Sequence, residues 1–228
     1  MRDAESVAVR AASWLAAQAR EAVAARGRFA FAVSGGRTPW RMLRALAAED
    51  VPWKDLHVFQ VDERVAPAGD PDRNLTHLRE SLLGRVPLPP GNLHAMPVEQ
   101  PDLGAAAATY ARELRAVTGT PAVLDVVHLG LGTDGHTASL VPGDPVLEVN
   151  GADVATTGLH AGRRRMTLTY PVLDRARRIL WVITGADKAP MLPRLLAGDR
   201  AIPAGRVRSD RAVLLSDDAA AAHLPEPA

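Results

Sequence analysis

Residues 122–143 read AVLDVVHLGLGTDGHTASLVPG, an apolar run that feeds directly into a loop holding Gly130, Gly132 and Gly135. The three glycines have the G-x-G-x-x-G spacing of a dinucleotide-binding turn. That fingerprint requires a long helix directly after the third glycine. It also requires an acidic residue that closes the next strand, about 20 residues on. Neither condition is met. Pro142 comes six residues after His136, which leaves too little chain for the helix. Asp153 stands at a suitable distance but precedes VATT instead of closing it. The glycines are therefore read as a tight turn that projects Asp134 and His136 from a strand end.

Outward from this loop the pattern alternates. Residues 3–26 carry Val7, Ala11, Trp14 and Leu15 on one helical face, and RFAFAV (28–33) reads as a short buried strand. In SGGRTP, Thr38 is expected as helix N-cap and Pro39 as first helical residue, with Trp40, Leu43 and Leu46 inward over 39–48. LHVFQV (56–61) is a second strand, 73–83 a helix, 103–117 a helix, and AVLDVVHLG a third strand. RMTLTYPVL is expected as a strand that stops at Pro171, RRILWVIT as another, GADKAPMLPRLL as a turn into a helix, and AVLLSD as the last strand. Such alternation predicts an α/β fold, a mainly parallel sheet with helices on both faces. No repeat, linker or low-complexity insert divides the chain, so residues 1–228 are expected to form a single domain.

Composition limits the function. Hydrophobic residues make up 47% and charged residues 23%, an ordinary globular balance. With no cysteine, disulfides, thiolate metal sites and a cysteine nucleophile are excluded, which suits a cytoplasmic location. The N-terminal MRDAESVAVR lacks a secretory apolar core, and no apolar run reaches membrane-spanning length. A net charge of +1 gives no electrostatic case for a nucleic-acid partner. Of 27 basic residues only Lys54 and Lys188 are lysines, which draws attention to each.

In α/β sheets, ligands bind beyond the carboxyl ends of the strands. Four such ends here are rich in functional groups: SGGRTP, DERVAP, GLGTDGHTAS and TGADK. Gly35 and Gly36 let the backbone approach an anion, Ser34 and Thr38 add hydroxyls, and the following helix offers free N–H groups. A rival reading takes AVSGG as a nucleophile elbow built on Ser34, although that residue follows only one strand. His136 is a candidate base, with Asp134 to orient it or merely to close its own turn. No partner stands at zinc-ligand spacing, so no metal is expected. In DERVAP, one of Asp62, Glu63 and Arg64 is expected to face water, and Arg64 is placed to meet an anion or oxyanion. Of Arg163, Arg164 and Arg165, the last adjoins a strand and is best placed for the site. Lys188 is expected in a helix's first turn, where a cation is unfavourable unless an anion lies near.

Together, SGGRTP, DERVAP with Asn74, LGLGTDGHTASLVP, RMTLTYPVL and TGADKAPML resemble the glucosamine-6-phosphate isomerase/6-phosphogluconolactonase family, in the family's order over residues 30–196. The resemblance implies a modified Rossmann-like fold, no cofactor and no catalytic metal. It implies a phosphosugar lactone as substrate and a monomer or homodimer. The deaminase branch typically reads DGHIAFNEP, and Val141 stands where its glutamate stands, which favours the lactonase branch. Departures are Arg73, where serine is frequent, and His128, which replaces an aliphatic residue in the third strand.

On that resemblance Ser34, Gly35, Gly36, Thr38, Arg165 and Lys188 hold a 6-phosphate, and Asp62 and Asn74 meet sugar hydroxyls. His136 activates water, with Asp134 beside it and Arg64 facing the reacting carbonyl. The alternatives are a deaminase or isomerase on the same fold, and a non-enzymatic sugar-phosphate sensor. Sensors of that kind normally carry a helix-turn-helix segment, whereas the residues before the first strand have room for one helix.

Overall fold

The computed structural model describes residues 1–225. Its strands are β1 (Phe29–Val33), β2 (Leu56–Gln60), β3 (Asp62–Arg64), β4 (Leu93–His94), β5 (Val126–Leu129), β6 (Val154–Thr156), β7 (Arg165–Leu168), β8 (Arg178–Ile183) and β9 (Ala212–Ser216). Its α-helices are α1 (Ala4–Arg26), α2 (Arg37–Leu46), α3 (Asn74–Ser81), α4 (Leu103–Thr118), α5 (Tyr170–Arg175) and α6 (Leu192–Leu196).

Six strands form a parallel sheet in the order β4-β2-β1-β5-β8-β9. β1 is apolar on both faces and its neighbours largely so, as a sheet covered twice demands, with His128 of β5 a buried exception. Ala30, Ala32, Val127, Leu129, Ile179 and Trp181 join Tyr110 and Leu114 of α4 in one core. Phe29, Phe31, Val33, Val126, Leu180 and Val182 join Val7, Ala11 and Leu15 of α1 and Met42 and Leu43 of α2 in the other. The strand period of two residues divides each strand between these cores.

Three strands lie elsewhere. β3, β7 and β6 make a separate antiparallel sheet, pairing Asp62 with Thr167, Glu63 with Met166 and Arg64 with Arg165. The segment RMTLTYPVL therefore does not run as a strand to Pro171. β7 ends at Leu168, and Pro171 sits in the first turn of α5, where its missing N–H leaves no bond unmade.

The start of α2 also differs from expectation. Gly36, at φ 121°, occupies the cap position, with no side-chain cap. Thr38 lies inside the helix, and its hydroxyl bonds that of Thr184 at 2.7 Å, beyond the end of β8. Pro39, Met42, Leu43 and Leu46 face the core, while Trp40 is only half-buried and stacks on His77 at 3.9 Å.

The largest correction concerns the Asp62–Glu63–Arg64 triplet, of which no member is freely exposed. Glu63 is 0% exposed. Its carboxylate accepts from the N–H groups of Arg64, Asn74 and Leu75 at 2.7–2.8 Å and from Gln60 Nε2 at 2.8 Å. The Arg73 guanidinium stands 3.2 Å away. Glu63 thus caps the N-terminus of α3, where the helix dipole favours negative charge. Arg73, buried itself, also reaches Glu99 at 2.5 Å and the Ala66 carbonyl at 3.0 Å. Removing one member of such a buried pair strands the other's charge. Glu63→Ala is expected to lower unfolding free energy by about 3–5 kcal/mol in urea melts; a loss below ~1 kcal/mol would show that this carboxylate is not structural.

Candidate active site

A cavity of about 520 Å³ opens at the carboxyl ends of β1, β5 and β8 and is closed on one side by β3 and β7. All four singled-out segments contribute to its wall: residues 34–38, Asp62 and Arg64 of β3, residues 130–133 with His136, and Thr184, Gly185, Asp187 and Lys188. Asn74 and Arg165 line it too. Asp134 lies behind His136, in contact with the imidazole.

The loop after β1 is built for close packing. A methyl group on Gly35 would overlap the Asn74 carboxamide. Gly36 holds a positive φ that side-chain-bearing residues rarely adopt. Ser34 is held from below: its hydroxyl donates to the His128 carbonyl at 3.1 Å, and its N–H donates to His128 Nδ1 at 3.4 Å. That ring is 0% exposed, and its Nε2 has no partner among the described residues. Burial alone pushes the His128 pKa down to about 3, so the ring is neutral.

The DGH segment shows what its glycines do. A methyl group on Gly132 would overlap the His136 ring, and one on Gly135 would lie 2.6 Å from Ile202 Cβ. Gly132 N–H donates to the His136 carbonyl at 2.8 Å, closing the turn. Asp134 Oδ1 accepts from the His136 N–H at 3.0 Å and lies 2.6 Å from its Nδ1. A carboxylate there places the proton on Nδ1 and leaves the Nε2 lone pair free. Burial tends to raise the Asp134 carboxyl, but the hydrogen bonds and charge of His136 outweigh it, and the net shift is downward. No α-helix directly follows Gly135: Thr137 and Leu140 form an isolated bridge, and the next turn is 3-10 at Pro145–Glu148.

Arg64 and Arg165 stand directly opposite each other on the antiparallel pair. Like charges so placed repel. Arg64 bonds the Asn74 carboxamide oxygen, and the Asn74 amide donates to the Asp62 carbonyl at 2.9 Å. Arg165 is 9% exposed, and its Nε has no partner among the described residues. Burial pulls its pKa down, opposed by Asp62, assisted by Arg64 and opposed again by Asp134. Two adjacent guanidinium groups, one of them buried without a carboxylate bonded to it, make a strong anion locus. Lys188 departs from expectation. It ends a 3-10 turn, Ala186–Lys188, rather than opening an α-helix, and its Nζ pairs with Asp187 at 2.9 Å.

Several neighbours escape sequence reading. Ser139 donates to Asp62 Oδ2 at 2.6 Å and so fixes a carboxylate 77 residues away in the chain. Ala138, at φ 52°, lines the cavity in a conformation that costs energy. Arg37 and Arg41 stand exposed on its rim. Arg37 lies inside SGGRTP and Ala138 and Ser139 inside GLGTDGHTAS, but no role for them could be read there, and Arg41 lies outside every motif. Among the described residues, no three His, Asp or Glu side chains converge as metal ligands do.

A family model described as glucosamine-6-phosphate isomerases/6-phosphogluconolactonase matches residues 2–215. The 6-phosphogluconolactonase of Nostoc sp. is 38% identical over 207 residues, spanning 88% of this chain and 86% of the relative. The solved 6-phosphogluconolactonase of Thermotoga maritima superposes with a TM-score of 0.85 at 27% identity, covering 95% of this chain and 96% of that one. A monomeric glucosamine-6-phosphate deaminase superposes at 0.84 over 98% of each chain with 18% identity, a likeness of fold alone.

The neutral His128 ring has a consequence for stability. Its folded pKa of about 3 lies below the ordinary value of 6.5, so below pH 6.5 the unfolded chain binds the extra proton. The stability tied to this ring is complete above pH 6.5 and is lost progressively as pH falls toward 3. Urea titrations of His128→Leu between pH 7 and pH 4 are expected to show a shallower acid decline than wild type (~1 fewer proton taken up on unfolding). Parallel declines would show that the ring is charged when folded.

Proposed function

The chain belongs to the glucosamine-6-phosphate isomerase/6-phosphogluconolactonase family, and from that premise we propose that it hydrolyses 6-phospho-D-glucono-1,5-lactone to 6-phosphogluconate. The observation that carries this reading is the Asp134–His136 contact of 2.6 Å beside a cavity that also holds the Arg64–Arg165 pair. One end of the substrate is an anion, and the other is an ester that needs only an activated water.

The phosphate is held by the Ser34–Thr38 loop with Arg165 and Lys188, at the free N–H groups of α2. Binding energy at that end orients the reacting end. Asp62 and Asn74 meet the sugar hydroxyls, and their mutual bonds keep them rigid. His136 Nε2 removes a proton from water as its oxygen bonds to C1. Asp134 holds the ring in the required tautomer and stabilises the imidazolium. Arg64 stabilises the charge that gathers on the carbonyl oxygen. The C1–O5 bond then breaks, and the imidazolium returns the proton to O5. The same reading takes residues 1–228 as one domain, acting in the cytoplasm. No described helix is long and apolar enough to cross a membrane.

Ser34 is poorly suited as a nucleophile, since its hydroxyl proton goes to a main-chain carbonyl and no imidazole accepts it. A deaminase reading lacks a second acid: Val141 is buried and apolar.

The test is the rate of lactone loss above the spontaneous hydrolysis blank. His136→Ala is expected to lower kcat by ~10²–10⁴-fold while its circular dichroism stays that of wild type. A folded variant with near-wild-type kcat refutes the base assignment. Ammonia released from glucosamine 6-phosphate would instead mark a deaminase, and lactone bound without turnover a sensor.

A further inference from the structure

We infer that His128 is a positioning residue for the phosphate loop, its imidazole fixing Ser34 so that the glycine N–H groups beyond it stay free for the ligand. The inference rests on the phosphate reading of residues 34–38 given above.

β5 lies beside β1 with Val33 in register with His128, so the strand delivers the ring under the first residue of the loop. Two bonds join them, Ser34 N–H to Nδ1 at 3.4 Å and Ser34 hydroxyl to the His128 carbonyl at 3.1 Å. The Ser34 N–H is thereby turned into the protein. The N–H groups of Gly35 and Gly36 bond to no backbone carbonyl among the described residues, and both residues line the cavity. The ring thus separates the N–H that belongs to the scaffold from those that can meet an anion.

The surroundings make this choice of residue informative. Val126 on the same strand, and the register partners Val33 and Leu180, are all aliphatic members of one core. An aliphatic residue would fill position 128 without leaving a buried nitrogen unpartnered. Imidazole offers one thing an aliphatic side chain lacks there, an acceptor for the Ser34 N–H. To accept, Nδ1 must carry no proton, so the ring is the neutral Nε2–H tautomer. Burial, with no neighbouring charge contributing, favours the neutral ring; the Ser34 contact selects the tautomer.

The experiment compares wild type with His128→Leu and His128→Asn. It measures inorganic phosphate and 6-phosphogluconate binding by calorimetry, and KM and kcat for the lactone. Losing one hydrogen bond to the loop is expected to weaken both ligands and raise KM by about three- to tenfold in His128→Leu, with kcat changed less than about twofold. His128→Asn, whose side-chain oxygen can reach the place of Nδ1, is expected to recover most of that loss. Unchanged phosphate binding in His128→Leu overturns the inference, as do equal losses in both variants. Nitrogen NMR of the wild-type ring gives a test that needs no variant to fold: an Nε2–H tautomer is expected, and an Nδ1–H tautomer refutes it. If wild type binds phosphate with this dependence on residue 128 yet turns over no lactone, the proposed reaction fails and the positioning role stands.

Discussion

Glu63 holds the two sheets of this protein in working relation. Its carboxylate, fully enclosed, binds the first N–H groups of α3, the backbone of β3, the Gln60 amide at the end of β2 and the Arg73 guanidinium. Those bonds fix the residues on either side of it. Asp62 and Arg64 line the cavity from β3, and Asn74, whose own N–H is bound, reaches in from α3. An ion buried this deeply is tolerated only because each lone pair is used. The same demand makes the position intolerant of change, and the cavity wall inherits its rigidity.

The charge distribution follows from what that wall has to accept. Arg64 and Arg165 face each other across a strand pair, a placement that costs energy and is relieved by an anion between or beside them. The carboxylates near them are otherwise engaged, Asp62 by Ser139 and Asp134 by His136. Both still offset Arg165 through their charge, but neither forms an ion pair with it, and the wall carries Arg37, Arg41, Arg64, Arg165 and Lys188 against Asp62 and Asp187. On the proposed reading, one end of the substrate is bound as a charge and the other is presented to a lone pair on Nε2.

Much of this was legible in the primary structure. The parallel sheet announced itself through buried strands alternating with periodic helices, and the four functional loops follow strand ends. Pro142 disposed of the dinucleotide reading, and no α-helix directly follows Gly135. What escaped depends on partners distant in sequence. β3 and β7 have three and four residues, too few for a period to show, and their pairing joins segments about a hundred residues apart. The burial of Glu63 could not be read from DERVAP, because alternating charge alone describes a solvated surface as well as a capped helix. Ser139 looked like loop composition until it met Asp62. Thr38 suited an N-cap by local rules, but Thr184 offered its hydroxyl a tertiary partner.

On the proposed reading the substrate lies in one direction, phosphate at the β1 loop and lactone carbon at His136. A crystal structure with 6-phosphogluconate bound tests it most directly. The phosphate is expected on the N–H groups after Ser34 with Arg165 and Lys188, and the C1 carboxylate within about 3 Å of His136 Nε2 or of a water held by it. A phosphate lying against His136, with C1 at the Ser34–Thr38 loop, would contradict it.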